Sequence, residues 1–263
     1  MAPPVLRPLS AGEILDVSFT LYRRHFGALA TVALVCTGVP LVLRLFLEAA
    51  GGFFANLPLA LVYMIVLVVL NLIASAATVF IVSESYLGRP IAAREALRRA
   101  TPYIGRVLVC SLLMTLAVLL GFMLLIVPGI ILIVGLVLAV PAVVLEPGLS
   151  ASGALSRSWA LTRGSRWRMF GLGLTLLVLL YVPVLAISGV LAMVLPGGLG
   201  VGAGAMGFAS SVMGAVVGLA IAGLVQIFIY PLFYCVLTVT YYDLRVRKEG
   251  FDLELLASQL QTA

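Results

Sequence analysis

The chain has 263 residues, of which 63% are hydrophobic and 10% charged, with a formal net charge of +6. A soluble domain is about a quarter charged, so this chain has too few charges to cover a water-facing surface. A soluble enzyme, an ordinary secreted domain and a disordered chain are excluded. Three stretches carry no charge at all: residues 49–83, 107–145 and 169–242. Each exceeds the roughly 20 residues that a helix needs to cross a bilayer.

In chain order, the first predicted crossing covers residues 27–48 and contains Arg44, which can pair with Glu48 one turn on. The second covers 57–83, after a turn marked by Gly51, Gly52, Asn56 and Pro58. The third covers 107–127 and ends at a tight turn placed at Pro128-Gly129. The fourth covers 130–145. The fifth covers 169–195, with a bend expected at Pro183, and a glycine-rich connection follows over 196–207. The sixth lies within 208–242, a stretch longer than one straight span needs, with a kink or an interfacial portion around Pro231.

The basic residues other than Arg44 fall into four groups between these runs. They are Arg7, Arg23 and Arg24; Arg89, Arg94, Arg98, Arg99 and Arg106; Arg157, Arg163, Arg166 and Arg168; and Arg245, Arg247 and Lys248. An even number of crossings separates the groups, which is the positive-inside pattern. Both termini are therefore expected on the cytoplasmic side of a bacterial or archaeal inner membrane. The first helix is expected to serve as an uncleaved anchor. Anionic phospholipid headgroups are the expected counter-charge, and nucleic acid is excluded as a partner. Tyr22, Phe26, Tyr86, Trp159, Trp167, Tyr241 and Tyr242 fall where headgroups are expected.

A short pattern recurs before each pair of crossings. Residues 8–15 (PLSAGEIL) return loosely as 90–97 (PIAAREAL) and again as 149–155 (LSASGAL). Each copy precedes basic residues and two crossings, and each pair ends at an acid: Glu84, Glu146 or Asp243. The expected architecture is all-α and polytopic. It has six transmembrane helices in one membrane domain (1–263), arranged as three units of interfacial helix plus helical hairpin over 8–84, 90–146 and 147–243. A short cytoplasmic tail over 244–263 follows. Ser10 with Glu13 reads as a capping box, and Ser150 or Ser152 can cap the third short helix. The expected apolar stripes are Ile14, Val17 and Leu21; Ala93, Ala96, Leu97 and Ala100; and Leu155, Trp159 and Thr162.

Candidate contacts for headgroups or a partner are Arg23, Arg24, Arg94, Arg98, Arg99, Arg106, Arg163, Arg166, Arg168 and Arg245. Glu13 can pair locally with Arg23 or Arg24, and Glu95 with Arg98 or Arg99, or these acids can equally pair with basic groups from another repeat. The acids Glu84, Glu146 and Asp243 are expected to be paired, with Arg106, Arg168 or Arg245 in answer. Asn71 and Gln226 are the polar candidates inside the membrane, each expected to bond across helices. Cys36, Cys110 and Cys235 lack metal or disulfide spacing, and His25 has no placed partner, so no catalytic residue, metal or cofactor is expected.

The stretches Arg7-Pro8-Leu9-Ser10-Ala11-Gly12-Glu13-Ile14-Leu15-Asp16 and Tyr22-Arg23-Arg24-His25-Phe26 resemble uncharacterised prokaryotic multi-pass proteins. So do Ala154-Leu155-Ser156-Arg157-Ser158-Trp159 and Tyr241-Tyr242-Asp243-Leu244-Arg245-Val246-Arg247. These proteins are similar to the membrane domain attached to some glycerophosphoryl diester phosphodiesterases. The resemblance implies a membrane domain and not the diesterase activity, which in such enzymes resides in a separate soluble barrel. With only residues 244–263 after the last crossing, no such barrel is expected there. The leading expectation is a non-enzymatic scaffold or complex-organising module with anionic-lipid contacts, possessing a protein partner or forming a homo-oligomer. The alternatives are a small transporter or lipid translocator, and a membrane subunit of an enzyme whose catalytic chain is separate.

Overall fold

The structure, a computed structural model, describes residues 7–194 and 212–251. The described residues form helices and connecting turns, with no strand among them. The helices are α1 (Ala11–Arg24), α2 (Phe26–Ala49), α3 (Leu57–Tyr86), α4 (Ala93–Ala100), α5 (Ile104–Leu124), α6 (Ile126–Leu136), α7 (Ala139–Leu145), α8 (Ala151–Thr162), α9 (Arg166–Val194) and α10 (Val212–Glu249). A 3-10 turn, Thr101–Tyr103, joins α4 to α5. Six helical stretches are long and apolar enough to cross a membrane, in agreement with the count of crossings. The protein is an all-α, six-span polytopic membrane protein. The glycine-rich connection over 196–207 lies outside the described residues.

The residues fall into two compact units. One comprises residues 7–32, 72–172 and 231–251; the other comprises 33–71 and the described part of 173–230. In the first unit the spanning helices bury small residues against one another: Ala74, Ala76, Ala77, Ala139 and Ala142 are all buried. In hydrocarbon, burying apolar area drives no association, so close backbone approach through small side chains is what holds helices together.

The turn between the third and fourth crossings differs from the sequence expectation. The break falls at Leu125, whose extended backbone (φ −168°, ψ 161°) ends α5 and precedes α6. Pro128 is the third residue of α6. The first turn of a helix tolerates proline because its N–H groups have no intrahelical partner there. Gly129 serves a close approach instead: a Cβ there would lie 2.6 Å from the Phe122 ring.

The fourth crossing is also divided, into α6 and α7, at Val137 and Leu138. Pro141 sits in the first turn of α7 and has no N–H for the carbonyl four residues earlier. The helix break itself also frees Gly135 O and Leu138 N–H, and these two are satisfied from α8. Ser158 Oγ donates to Gly135 O at 2.8 Å and accepts from Leu138 N–H at 3.2 Å. Thr162 Oγ1 also donates to Gly135 O, at 3.2 Å. A break within a membrane-spanning stretch is tolerated only with such partners.

The sixth crossing is one helix from Val212 to Glu249 with Pro231 inside it. At 1.5 Å per residue it is about 57 Å long, well beyond the roughly 30 Å hydrocarbon core. Its last turns therefore rise out of the lipid and reach the charged edge.

The stripes of the three short helices are covered in part. α1 buries Ile14 of its stripe together with Ser18 and Tyr22; α4 buries Ala96 and Ala100 of its stripe; α8 buries Thr162 of its stripe together with Ala154, Ser158 and Leu161. Val17, Leu21 and Leu155 are only half-buried. Tyr241 and Tyr242, expected among headgroups, are core residues at 0% and 4% exposure. Their hydroxyls reach Glu146 and Ser83, both at 2.6 Å.

Candidate functional site

The chemistry of the chain is concentrated in a charged belt within the first unit, where α1, α4 and α8 meet the ends of α3, α7 and α10. Its most buried member is Asp243, whose carboxylate is fully excluded from solvent. Oδ1 accepts the Leu9 N–H at 2.7 Å, and Oδ2 accepts Arg168 Nη1 at 2.9 Å. Arg247 Nε reaches both oxygens at 3.1 Å. The Leu9 carbonyl in turn accepts from Arg168 Nη2 and from Arg247 Nη2. Leu9, just before α1, is thus held by both its N–H and its C=O. A buried carboxylate with several charge-assisted partners is stable as an anion only while those partners stay.

Glu146 is held by Arg157 Nε at 2.7 Å and by the Tyr241 hydroxyl. Arg157 also forks onto Glu249, with Nη2 at 2.8 Å from Oε2. Glu249 and then Glu146 hold the Arg157 guanidinium further above its already high range. Arg245 donates to Glu249 at 3.1 Å. Lys248 donates to the carbonyls of Ala160 and Arg163 at the end of α8, satisfying groups that a helix C-terminus leaves open. Glu84 receives Arg99 at 3.3 Å and Arg89 at 3.4 Å. Arg99 also pairs with Glu95 at 2.8 Å, one turn earlier on α4.

At the start of α1, Ser10 and Glu13 form the capping box. Glu13 also takes Arg7 at 2.5 Å, rather than Arg23 or Arg24. The N-cap backbone is in reach of a carboxylate three residues on, whereas Arg23 and Arg24 lie ten or eleven residues further along the helix. The Ser10 backbone N–H, then its hydroxyl and Arg7, lower the Glu13 pKa to about 2. Burial and Arg24 push the His25 pKa down, favouring its neutral form.

Among the candidate arginines, Arg99, Arg168 and Arg245 are thus in ion pairs. Arg23 lies over Phe19 and Arg106 over Tyr103, at 6.0 and 5.9 Å from the ring centroids. Arg166 stacks much closer on Trp159, at 3.8 Å. Arg94, Arg98 and Arg163 are exposed. Sequence reasoning did not single out Arg157, Glu249 or Lys248. No pattern in the sequence announced them, because they meet across 92 and 85 residues.

In the second unit, Asn71 Nδ2 donates at 3.3 Å to Leu67 O on its own helix. The Tyr230 hydroxyl donates to the Asn71 backbone carbonyl at 3.0 Å. Asn71 and Gln226 share a cavity of about 230 Å³ with Arg44, Tyr63 and Thr37. Arg44 pairs with Glu48 and lies over the Tyr63 ring. The three cysteines are free and buried. Among the described residues, no group of three or more His, Cys, Asp or Glu side chains is placed to hold a metal.

Six spans and a charged belt in the first unit define a polytopic helical membrane module rather than a soluble catalytic domain. The family model described as the membrane domain of glycerophosphoryl diester phosphodiesterase matches residues 111–259, more than half of the chain. The chain belongs to that family. No curated protein and no solved structure gives a match. The matched portion corresponds to the membrane domain and not to the diesterase catalytic domain.

Proposed function

We propose that the protein is a non-enzymatic membrane scaffold that organises a complex and binds anionic phospholipid at its basic edge. The observation that carries this reading is a division among the arginines. Arg99, Arg157, Arg168 and Arg247 are locked onto acids, while Arg94, Arg98 and Arg163 are exposed beside them and form no ion pair among the described residues. The first set fixes the edge; the second set is left to meet phosphate, at roughly 1 kcal/mol for each charge near an anionic surface. On this reading both termini face the cytoplasm of a bacterial or archaeal cell.

Three units over 8–84, 90–146 and 147–243 underlie this edge. Counting from the N-caps Ser10, Ala92 and Ser150, the fourth residue of each short helix is buried: Ile14, Ala96 and Ala154. The eighth is buried too: Ser18, Ala100 and Ser158. The hairpin-end acid of each unit bonds the approach segment of the next. Glu84 takes Arg99, Glu146 takes Arg157, and Asp243 takes the backbone of Leu9. Arg99 and Arg157 each stand seventh after their caps. This cyclic order is what a triplicated unit produces.

A second reading, a small transporter or lipid translocator, draws on the cavity with Arg44, Asn71 and Gln226, since polar groups at membrane depth commonly mark a path. Native mass spectrometry of the gently extracted full chain separates the two. A stoichiometric protein partner with retained anionic lipid supports the scaffold. Solute or lipid movement in partner-free vesicles, abolished by Arg44→Gln, overturns it.

A further inference from the structure

We propose that the groove between α6 and α9 is a binding site for one anionic glycerophospholipid, with the phosphate on Arg166 and an acyl chain along α6. This rests on the lipid contact in the reading above and gives it a place. The groove has a volume of about 350 Å³, within the range of small-ligand sites. Its α6 wall is one helical face made of Val127, Ile130, Ile131 and Val134. Its α9 wall is Arg166, Trp167 and Phe170. Apolar walls with a single cation are the complement of a lipid, apolar along its chain and anionic at its head.

Arg166 is held in place for this task. Gly135 has no Cβ, and one there would stand 2.4 Å from Trp159 Cε3. The benzo edge of the indole therefore sits close against the α6 backbone, and the Arg166 guanidinium lies 3.8 Å over the Trp159 ring. Stacking occupies the face of the guanidinium and leaves its N–H edges to donate in their plane. Among the described residues Arg166 has no acid partner, and its Nε is buried without a hydrogen-bond partner. Arg168, two residues on, is by contrast saturated by Asp243 and the Leu9 carbonyl. Buried N–H groups are satisfied with few exceptions, and a phosphodiester oxygen is the acceptor that a guanidinium fork suits best. Arg166 is also the first residue of α9, so the positive end of the helix dipole adds to its charge. Trp167, 86% exposed at the groove mouth, suits the headgroup level of a bilayer.

The test is native mass spectrometry of the full chain in detergent, titrated with dioleoyl phosphatidylglycerol, dioleoyl phosphatidylcholine or soluble glycerophosphoglycerol. The expected result is one tightly held phosphatidylglycerol per chain, preferred over phosphatidylcholine, with the soluble headgroup far weaker. Arg166→Gln is expected to lower phosphatidylglycerol affinity roughly tenfold or more and remove the preference. Arg166→Lys is expected to keep part of it. Ile130→Trp, which fills the groove, is expected to reduce retention of both lipids with the unfolding midpoint little changed. Arg94→Gln/Arg98→Gln is expected to leave this single lipid in place.

Equal phosphatidylglycerol binding by Arg166→Gln and the parent chain overturns the proposal, as does a headgroup that binds as tightly as the whole lipid. A co-purifying protein released by Ile130→Trp, with no lipid released, overturns it too. If Arg94→Gln/Arg98→Gln loses the lipid and Arg166→Gln keeps it, the groove assignment fails while the edge contacts stand. If no variant changes retention, both fail.

Discussion

Asp243, near the end of the last helix, accepts the backbone N–H of Leu9, 234 residues earlier in the chain, at 2.7 Å. Arg168 and Arg247 complete the arrangement by bonding the Asp243 carboxylate and the Leu9 carbonyl together. The approach to the first helix is thereby tied to the exit of the last one. The two residues are polar anchors for each other in a chain with only ten acids.

Asp243→Ala leaves two guanidinium groups and one peptide N–H without their shared acceptor. Removing one partner of a buried ion pair costs about 3–5 kcal/mol, because the remaining charge stays desolvated. A large fall in the thermal midpoint in detergent is expected, with faster proteolysis ahead of Ser10. Arg247→Gln is expected to cost less, since Arg168 still serves both Asp243 and Leu9. Equal midpoints for Asp243→Ala and the parent chain contradict this account.

Gly135→Ala places a Cβ into the Trp159 ring. Overpacking of this kind typically costs about 1–3 kcal/mol. The indole is the part able to move, so Trp159→Leu in the same chain is expected to recover part of the loss. A double-mutant cycle on unfolding midpoints measures the coupling, and strict additivity would argue against direct contact.

Ser158→Ala removes the donor to Gly135 O and the acceptor for Leu138 N–H. Thr162 still donates to Gly135 O, but nothing replaces the acceptor. An orphaned buried N–H costs about 1–3 kcal/mol. Hydrogen exchange at Leu138 is expected to quicken more in Ser158→Ala than in Thr162→Ala, because only the first takes that amide's partner. Equal exchange rates in the two variants would contradict the assignment.

The six crossings were legible because uncharged runs of this length have one use in a lipid setting. The capping box at Ser10 and the Arg44–Glu48 pair were legible because they are local, three and four residues apart. Gly129 and Pro128 misled, since Pro-Gly is a turn signal in water, whereas here one residue opens a helix and the other admits Phe122. The buried faces of α1, α4 and α8 were legible only in part: Ile14, Ala96, Ala100 and Thr162 are buried as members of the apolar stripes, and Ser18, Ala154 and Ser158 are buried beside them. Lipid accepts apolar side chains, so hydropathy alone does not decide which face meets the protein, and close approach suits Ala, Ser and Thr. Of the belt, the three hairpin-end acids could be found by position in the sequence. Arg157, Glu249 and Lys248 could not, because their meeting depends on how far α10 continues past the lipid.

The start of α1 is expected to respond to acid. The folded pKa of Glu13 lies near 2, below its ordinary 4.5. The ionised form is the one bound by the Ser10 N–H, so its contribution is fully present above about pH 4.5. It fades as pH falls toward 2, where the folded carboxyl also takes a proton. His25 acts in the same direction from a higher pH: its folded pKa is depressed, so its contribution is lost as pH falls through the ordinary histidine range. In midpoint-against-pH curves, the gap between the parent chain and Glu13→Gln is expected to be constant above pH 5 and to close between 4.5 and 2. A gap that widens with acid would reverse the assignment.

Topology supplies the most direct check on the arrangement. Gly51 and Gly52 (φ 98° and 91°) turn the chain between α2 and α3, and Leu125 breaks it between α5 and α6. Neither connection carries a basic residue, whereas Gly88 and Gly164 stand in connections bordered by arginine. The positive-inside rule then puts the first two outside and the second two inside. Single cysteines at Gly52, Leu125, Gly88 and Gly164, in a chain whose buried Cys36, Cys110 and Cys235 are replaced by alanine, report this with a membrane-impermeant maleimide. Labelling of intact cells is expected at 52 and 125 alone, and at 88 and 164 only after the membrane is opened. Labelling of 88 in intact cells would break the six-span order, because α3 would then end on the wrong side for the belt of Glu84, Glu146 and Asp243 to lie along one edge.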